Sequence, residues 1–136
     1  MTTDQPTEID ENVLGVIKDF LEMGHVDNIV AMFHRNHEYY QYTGPILDDE
    51  RFNVRLGVSV LFEELRKREP EELDRAVPSL LPLLESEKPH IRGEALSVLG
   101  IIGSKAAFEA IKTMLHDRQP QISEIASDIL AELGYR

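Results

Sequence analysis

One short segment carries side chains whose types and spacing could bind a metal ion. His34 and His37 are three residues apart, and Glu38 follows directly. Imidazoles at this spacing can share one face of a helix, and imidazole and carboxylate groups are common zinc ligands. However, no other histidine in the chain is followed by glutamate, and the inverted zinc motif His-x-x-Glu-His is not matched. We therefore predict that the protein binds no metal and no cofactor.

The alternative is a metal- or cofactor-using enzyme, or a lyase-like subunit, with a site near His34, His37 and Glu38. Such a site needs further ligands in the same pocket, and the neighbouring candidates in the sequence are His25, Asp48 and Asp49. No Gly-rich phosphate loop and no Ser-His-Asp arrangement is visible in the sequence. The pattern does not identify a reaction, and we predict that the protein is not an enzyme.

The same region, residues 34–49, contains three of the four tyrosines. Gly44-Pro45 predicts a turn or loop there, so the region is predicted to be a long connection, and long loops are often functional or disordered. Tyrosine and arginine are enriched at binding hot spots. Two interpretations stay open: the region binds a partner protein, or its tyrosines pack over the gap left by a degenerate repeat. The predicted partner-binding residues are Arg35, His37, Tyr39, Tyr40 and Tyr42.

Charge and composition exclude several classes of function. The formal net charge is −11, and residues 1–50 contain eleven acids but only Lys18 and Arg35 as bases. Nucleic-acid binding needs clustered lysine and arginine, so we predict no nucleic-acid partner. The absence of cysteine rules out disulfides and thiolate metal sites. The sequence has neither a long apolar run nor a signal-like N-terminus, so we predict no membrane span and a cytoplasmic protein.

The helices that must position these residues follow an internal repeat. A shift of 31 residues relates residues 76–84 to residues 107–115, and it also relates Pro89 to Pro120 and Leu99 to Leu130. A constant shift that preserves apolar positions indicates a repeat array.

Apolar periodicity and terminal residues predict about seven helices. Pro78 and Pro82 predict a bend or a restart near Ala76 in the fourth helix. The fifth helix is apolar nearly all round and is predicted to be the most buried, and the last helix is apolar on one side, as a terminal cap requires. Residues 1–6 are predicted to be frayed. The predicted helices span residues 7–23, 26–35, 50–67, 70–85, 89–102, 105–116 and 120–133.

Residues 99–111 resemble the HEAT-like repeat pattern L-G-x-I-G-x-x-x-A-x-x-A-L, and residues 115–122 resemble its linker L-x-D-x-x-P-x-V. Val54-Arg55 and Ile91-Arg92 resemble the V-R pair that follows this linker. The short repeats look like those of phycobilisome-lyase-type proteins, and the best-matching part is residues 54–134. Two positions depart from the pattern: Ser86 replaces the linker aspartate, and Ser123 replaces the arginine.

The resemblance implies an all-α solenoid in which HEAT-like helical hairpins stack and the second helix of each pair lines the concave face. It also implies that Arg55, Arg92 and Asp117 form a structural ladder between repeats. The length of 136 residues predicts one domain, over residues 1–136. A few members of the group are enzymes, including chromophore lyases, a di-iron hydroxylase and a DNA glycosylase, but most bind proteins. We therefore expect a small adaptor or scaffold, monomeric or weakly dimeric, that binds another protein through its concave face and residues 34–49.

Overall fold

The computed structural model describes residues 8–134, which form eight α-helices and three 3₁₀ segments without a strand. The all-α solenoid predicted from the sequence is confirmed, whereas the predicted frayed end, residues 1–6, lies outside the described residues. The α-helices are α1 (Glu11–Glu22), α2 (Val26–Arg35), α3 (Thr43–Leu47), α4 (Phe52–Arg68), α5 (Val77–Leu80), α6 (Pro89–Ile102), α7 (Lys105–Lys112) and α8 (Pro120–Glu132). The 3₁₀ segments are His37–Tyr42, Pro70–Ala76 and Leu81–Glu85.

The helices stack in two layers. In the first layer α1 packs on α4, α4 on α6, and α6 on α8. The second layer contains α2, the continuous helical stretch of residues 37–47 (the 37–47 element), the stretch of residues 70–85 (the 70–85 element) and α7. The 37–47 element lies between α2 and the 70–85 element and contacts both. The buried apolar side chains form one cluster that runs from α1 to α8.

The predicted loop around Gly44-Pro45 is wrong, because both residues lie inside α3. Pro45 is the third residue of this helix, where a backbone N–H has no intrahelical partner and its loss costs little. Gly44 serves close packing instead of a turn: its N–H donates to Ser79 Oγ at 2.9 Å. A Cβ atom at this position would collide with the Ser79 backbone carbonyl. The long connection is therefore a helical element added to the second layer.

Pro78 and Pro82 divide the 70–85 element as predicted. A 3₁₀ segment ends at Ala76, α5 begins at Val77 with Pro78 as its second residue, and a new 3₁₀ segment begins at Leu81. Each proline thus occupies a position where its missing N–H is tolerated. The neighbouring α6 has seven buried residues, more than any other α-helix of residues 8–134, as expected. It ends at Gly103 in the left-handed conformation with φ +63°.

Within residues 8–134, no helix has both the length and the apolar character that a membrane span requires.

Candidate functional site

A buried carboxylate lies where α2, the 37–47 element and the 70–85 element meet. Glu69 follows the last residue of α4 and is 4% exposed. Its Oε1 lies 2.7 Å from His34 Nδ1, and its Oε2 accepts a hydrogen bond from the Tyr40 hydroxyl at 2.7 Å. His37 Nε2 lies 3.4 Å from the same Oε2 atom. A buried carboxylate needs partners of this kind, because its desolvation is costly.

Local geometry explains why three side chains reach one carboxylate. His34, His37 and Tyr40 follow each other at intervals of three residues. In a 3₁₀ helix, side chains three positions apart lie above one another. His37 and Tyr40 occupy the 3₁₀ segment His37–Tyr42, with ring centroids 5.9 Å apart, and His34 lies in the last turn of α2. The 3₁₀ spacing therefore places His37 and Tyr40 on the side that faces Glu69, whereas His34 reaches it from α2, across the extended residue Asn36.

A second carboxylate completes this group. Glu72 Oε1 lies 3.3 Å from His37 Nδ1, so the two ring nitrogens of His37 face two different carboxylates. The hydrogen bond from Arg75, together with the nearby His37, lowers the pKa of Glu72. Burial, followed by the hydrogen bond to Glu69, raises the pKa of Tyr40, so its hydroxyl stays protonated and donates. We call His34, His37, Tyr40, Glu69 and Glu72 the Glu69 cluster.

A cleft of about 890 Å³ opens beside the Glu69 cluster, between the 37–47 and 70–85 elements. Its size falls in the range of ligand-binding pockets, roughly 300–1,000 Å³. Apolar residues and backbone form much of its wall, and charged or polar side chains stand among them. His37 belongs to both the cluster and the cleft. The lining residues are Ile9, His37, Glu38, Gln41, Gly44, Pro45, Asp48, Arg75, Pro78, Ser79, Pro82 and Leu83.

The five predicted partner-binding residues differ in exposure and in position relative to the cleft. His37 lines the cleft, whereas Arg35 is exposed at the end of α2 and is not part of the lining. Tyr40 is 0% exposed and Tyr42 is 4% exposed, so a partner has no access to them. The partner-binding prediction for these two tyrosines must therefore be corrected. Both are core residues, and Tyr39 is half-buried against the core.

The tyrosines fill the interior of the 37–47 element. Tyr39 stacks on Phe33 with ring centroids 6.3 Å apart and contacts the edge of Tyr42 at 5.5 Å. Tyr42 also ties this element to the beginning of α1, because its hydroxyl accepts a hydrogen bond from the Asp10 N–H at 2.9 Å. The sequence left open whether the tyrosines bind a partner or pack in the interior, and Tyr40 and Tyr42 pack in the interior.

The metal-site residues considered from the sequence do not converge. Glu38 and Asp48 line the cleft, whereas His25 contacts the ring of Phe20. Asp49 lies elsewhere and pairs with Lys18 and Arg51. The hydrogen bonds from Arg51 lower the pKa of Asp49, which stays ionised. His34 and His37 do come together, but Glu69 stands where Glu38 was expected.

Sequence reasoning missed Glu69 and Glu72, which lie more than thirty residues after His37. No local spacing connects them with the histidines. One signal was present: His37 and Tyr40 are three residues apart, and this interval favours one shared face if their segment is helical. A predicted loop at residues 34–49 concealed it.

The predicted ladder residues lie at the contacts between repeats. Arg92 is buried on α6 and donates Nε and Nη2 to the two carboxylate oxygens of Asp117, each at 2.9 Å. Its Nη1 donates to the Ser86 carbonyl at 2.8 Å. Arg55 lies at the corresponding position of α4, where the linker carries Ser86 instead of aspartate. It donates to the carbonyls of residues 49 and 50 and to Glu94 of the next repeat.

The comparisons with known proteins agree with this architecture. A profile of HEAT repeats matches residues 44–131, which is more than half of the chain. The protein described as conserved virulence factor C from Staphylococcus saprophyticus is 37% identical over 76 residues, covering 54% of this chain and 20% of the relative. The chain thus spans about a fifth of the length of this relative. No solved structure is significantly similar to the chain. The chain belongs to the HEAT repeat family.

Proposed function

We propose that the protein is a non-catalytic interaction module that binds a partner protein in the cleft between the 37–47 and 70–85 elements. The observation that carries this proposal is the cleft itself, a concavity of about 890 Å³ on the second helical layer. The 37–47 element forms one wall, so residues 34–49 take part through the residues that line the cleft. The buried tyrosines hold this wall in position from behind.

The lining residues indicate the chemistry of the partner. Pro78, Pro82 and Leu83 offer an apolar surface that suits an aliphatic or aromatic side chain. Glu38 and Asp48 outnumber Arg75 among the charged residues that line the cleft, and the chain as a whole carries a net charge of −11. A partner segment with an apolar anchor and a neighbouring lysine or arginine therefore fits best. The long-range electrostatic attraction between this acidic protein and a basic partner weakens as the salt concentration rises.

The comparisons support this proposal at the level of the family. HEAT repeats stack into extended concave surfaces, and repeat architectures use such surfaces to bind other molecules. The name of the staphylococcal relative identifies neither a reaction nor a partner. The cleft, rather than the relative, therefore supports the proposed binding site.

Site-specific photo-crosslinking in cells that natively express the protein tests the proposal. A photoreactive amino acid replaces Pro82 in the cleft, and the matched control replaces Leu56, which is 49% exposed on α4 and does not line the cleft. We expect a discrete crosslinked protein from position 82 and not from position 56, and we expect Asp48→Lys to weaken this product. No crosslinked protein from position 82, or the same products from both positions, would contradict the proposal.

A further inference from the structure

We propose that His34, His37 and Glu69 bind a divalent transition metal ion of the zinc class. Each residue offers one ligand atom, and the three atoms lie within 4.8 Å of one another. The set contains two imidazole nitrogens and one carboxylate oxygen, a combination that zinc accepts together with one further ligand. This inference goes beyond the proposed partner binding and does not depend on it.

The electrostatic setting of Glu69 favours a cation. Its side chain is 5% exposed, and its ion-pair partners in residues 8–134 are His34 and His37 rather than a lysine or an arginine. A buried carboxylate without a permanent positive charge beside it is costly. A divalent ion between the carboxylate and the two imidazoles would supply that charge.

The separation of His37 and Glu69 already suits a tetrahedral site, whereas His34 must move. Tetrahedral zinc with ligand bonds of about 2.0–2.1 Å separates its ligand atoms by about 3.3 Å. His37 Nε2 and Glu69 Oε2 are already 3.4 Å apart. His34 Nδ1 instead lies 2.7 Å from the other carboxylate oxygen, Oε1, so His34 must shift to share an ion with Oε2 and His37. The His34 side chain is 67% exposed and therefore has room to rotate.

The residues around the three ligands resemble the outer shell of a metal site. A metal-bound histidine usually donates its other ring N–H to a carboxylate or a carbonyl, which orients the ring and raises its basicity. Glu72 stands at 3.3 Å from His37 Nδ1 and can accept that hydrogen bond. The Tyr40 hydroxyl donates to Glu69 and holds its carboxylate in position. The hydrogen bond from Tyr40 is present before any ion binds, and Glu72 already stands beside His37.

The ligand types also select the ion. Two imidazole ligands favour zinc and its neighbours among the transition metals, whereas magnesium and calcium prefer sites made of oxygen atoms. The exposed side of His34 leaves the fourth coordination position open to water. A bound ion would join α2 to the 37–47 element and to the start of the 70–85 element, so we expect it to stabilise the fold.

Calorimetric titration of the full chain with zinc chloride tests the proposal, after chelator treatment and removal of any metal-binding affinity tag. We expect one ion per chain and a rise in melting temperature that chelator reverses. His34→Ala removes an exposed ligand without disturbing the core, and it should weaken binding by more than about tenfold, since changes in the second shell alone cost about 10–100-fold. His116→Ala, at an exposed histidine outside the cluster, should bind zinc as the wild type does.

Glu69→Gln provides a second variant, because it keeps the shape of the side chain and removes its charge. If this variant unfolds, His34→Ala still decides the question. Absence of stoichiometric zinc binding by the wild type would overturn the proposal, as would binding that His34→Ala leaves unchanged. Partner crosslinking from position 82 needs no added zinc, so failure of the metal site and failure of the proposed interaction can be distinguished.

Discussion

Substitution of Gly44 by alanine tests whether the 37–47 element is held by a close contact between two helices. The new methyl group would meet the backbone carbonyl of Ser79, which cannot rotate away as a side chain could. Overpacking of this kind typically costs about 1–3 kcal/mol. A shift that relieves the clash would also weaken the Gly44 N–H···Ser79 Oγ hydrogen bond, which contributes about 0.5–1.5 kcal/mol. Alanine itself favours a helix over glycine by up to about 1 kcal/mol.

The expected net effect is a loss of about 1–3 kcal/mol in the free energy of unfolding, measured by urea denaturation followed by circular dichroism. Gly15→Ala is the matched control, because Gly15 lies inside α1 and its added Cβ would meet no atom within 4 Å. It should stabilise the protein by up to about 1 kcal/mol. Equal stability of the Gly44→Ala protein and the wild type would refute the argument that close packing requires this glycine.

Two further predictions concern the contacts between repeats. Arg92→Ala should lower the free energy of unfolding by about 3–5 kcal/mol, because it leaves the buried Asp117 carboxylate without its bidentate partner. Arg55→Ala should lower it less, since its partner Glu94 is 27% exposed. Urea denaturation that ranks the two variants in the opposite order would contradict this prediction. Burial raises the pKa of Asp117, but the hydrogen bonds from Arg92 and the Gln119 backbone N–H outweigh it and lower the pKa. The stabilisation that results from this lowered pKa is complete above the unfolded-state pKa of about 4 and is lost as pH falls through the lower folded-state pKa. The wild type should therefore lose more stability than Asp117→Asn between about pH 4 and pH 2. If the stability of the two proteins falls in parallel as pH is lowered, the Arg92–Asp117 pair does not cause the loss of stability in acid.

Regular repeats made much of the fold predictable. The shift of 31 residues and the prolines at positions 89 and 120 located α6 and α8, and both begin where they were expected. Pro78 and Pro82 act through their own chemistry, so the restart near Ala76 could be inferred without knowledge of the neighbours. The end of α7 was harder, because the apolar pattern continues to Leu115 although the helix ends at Lys112. Apolar periodicity predicts burial, and burial continues there beyond the helix.

The 37–47 element was mispredicted because two residue types have more than one structural use. Glycine followed by proline is typical of turns. Here, proline occupies the first turn of a helix, and glycine allows close approach to Ser79, a residue 35 positions away. A single sequence does not show which use applies. The same limit concealed the Glu69 cluster, whose carboxylates are distant from the histidines in sequence and meet them through the packing of the second layer.

The 37–47 element carries both proposed sites through His37. One ring nitrogen of His37 faces Glu69, the other faces Glu72, and the same residue lines the cleft. A zinc ion bound to this ring would fix its orientation at the edge of the cleft. If zinc changes the affinity for a partner in the cleft, the partner must change the affinity for zinc by the same factor, because the two equilibria share one thermodynamic cycle. The added helical element therefore allows the two sites to be coupled without a large conformational change.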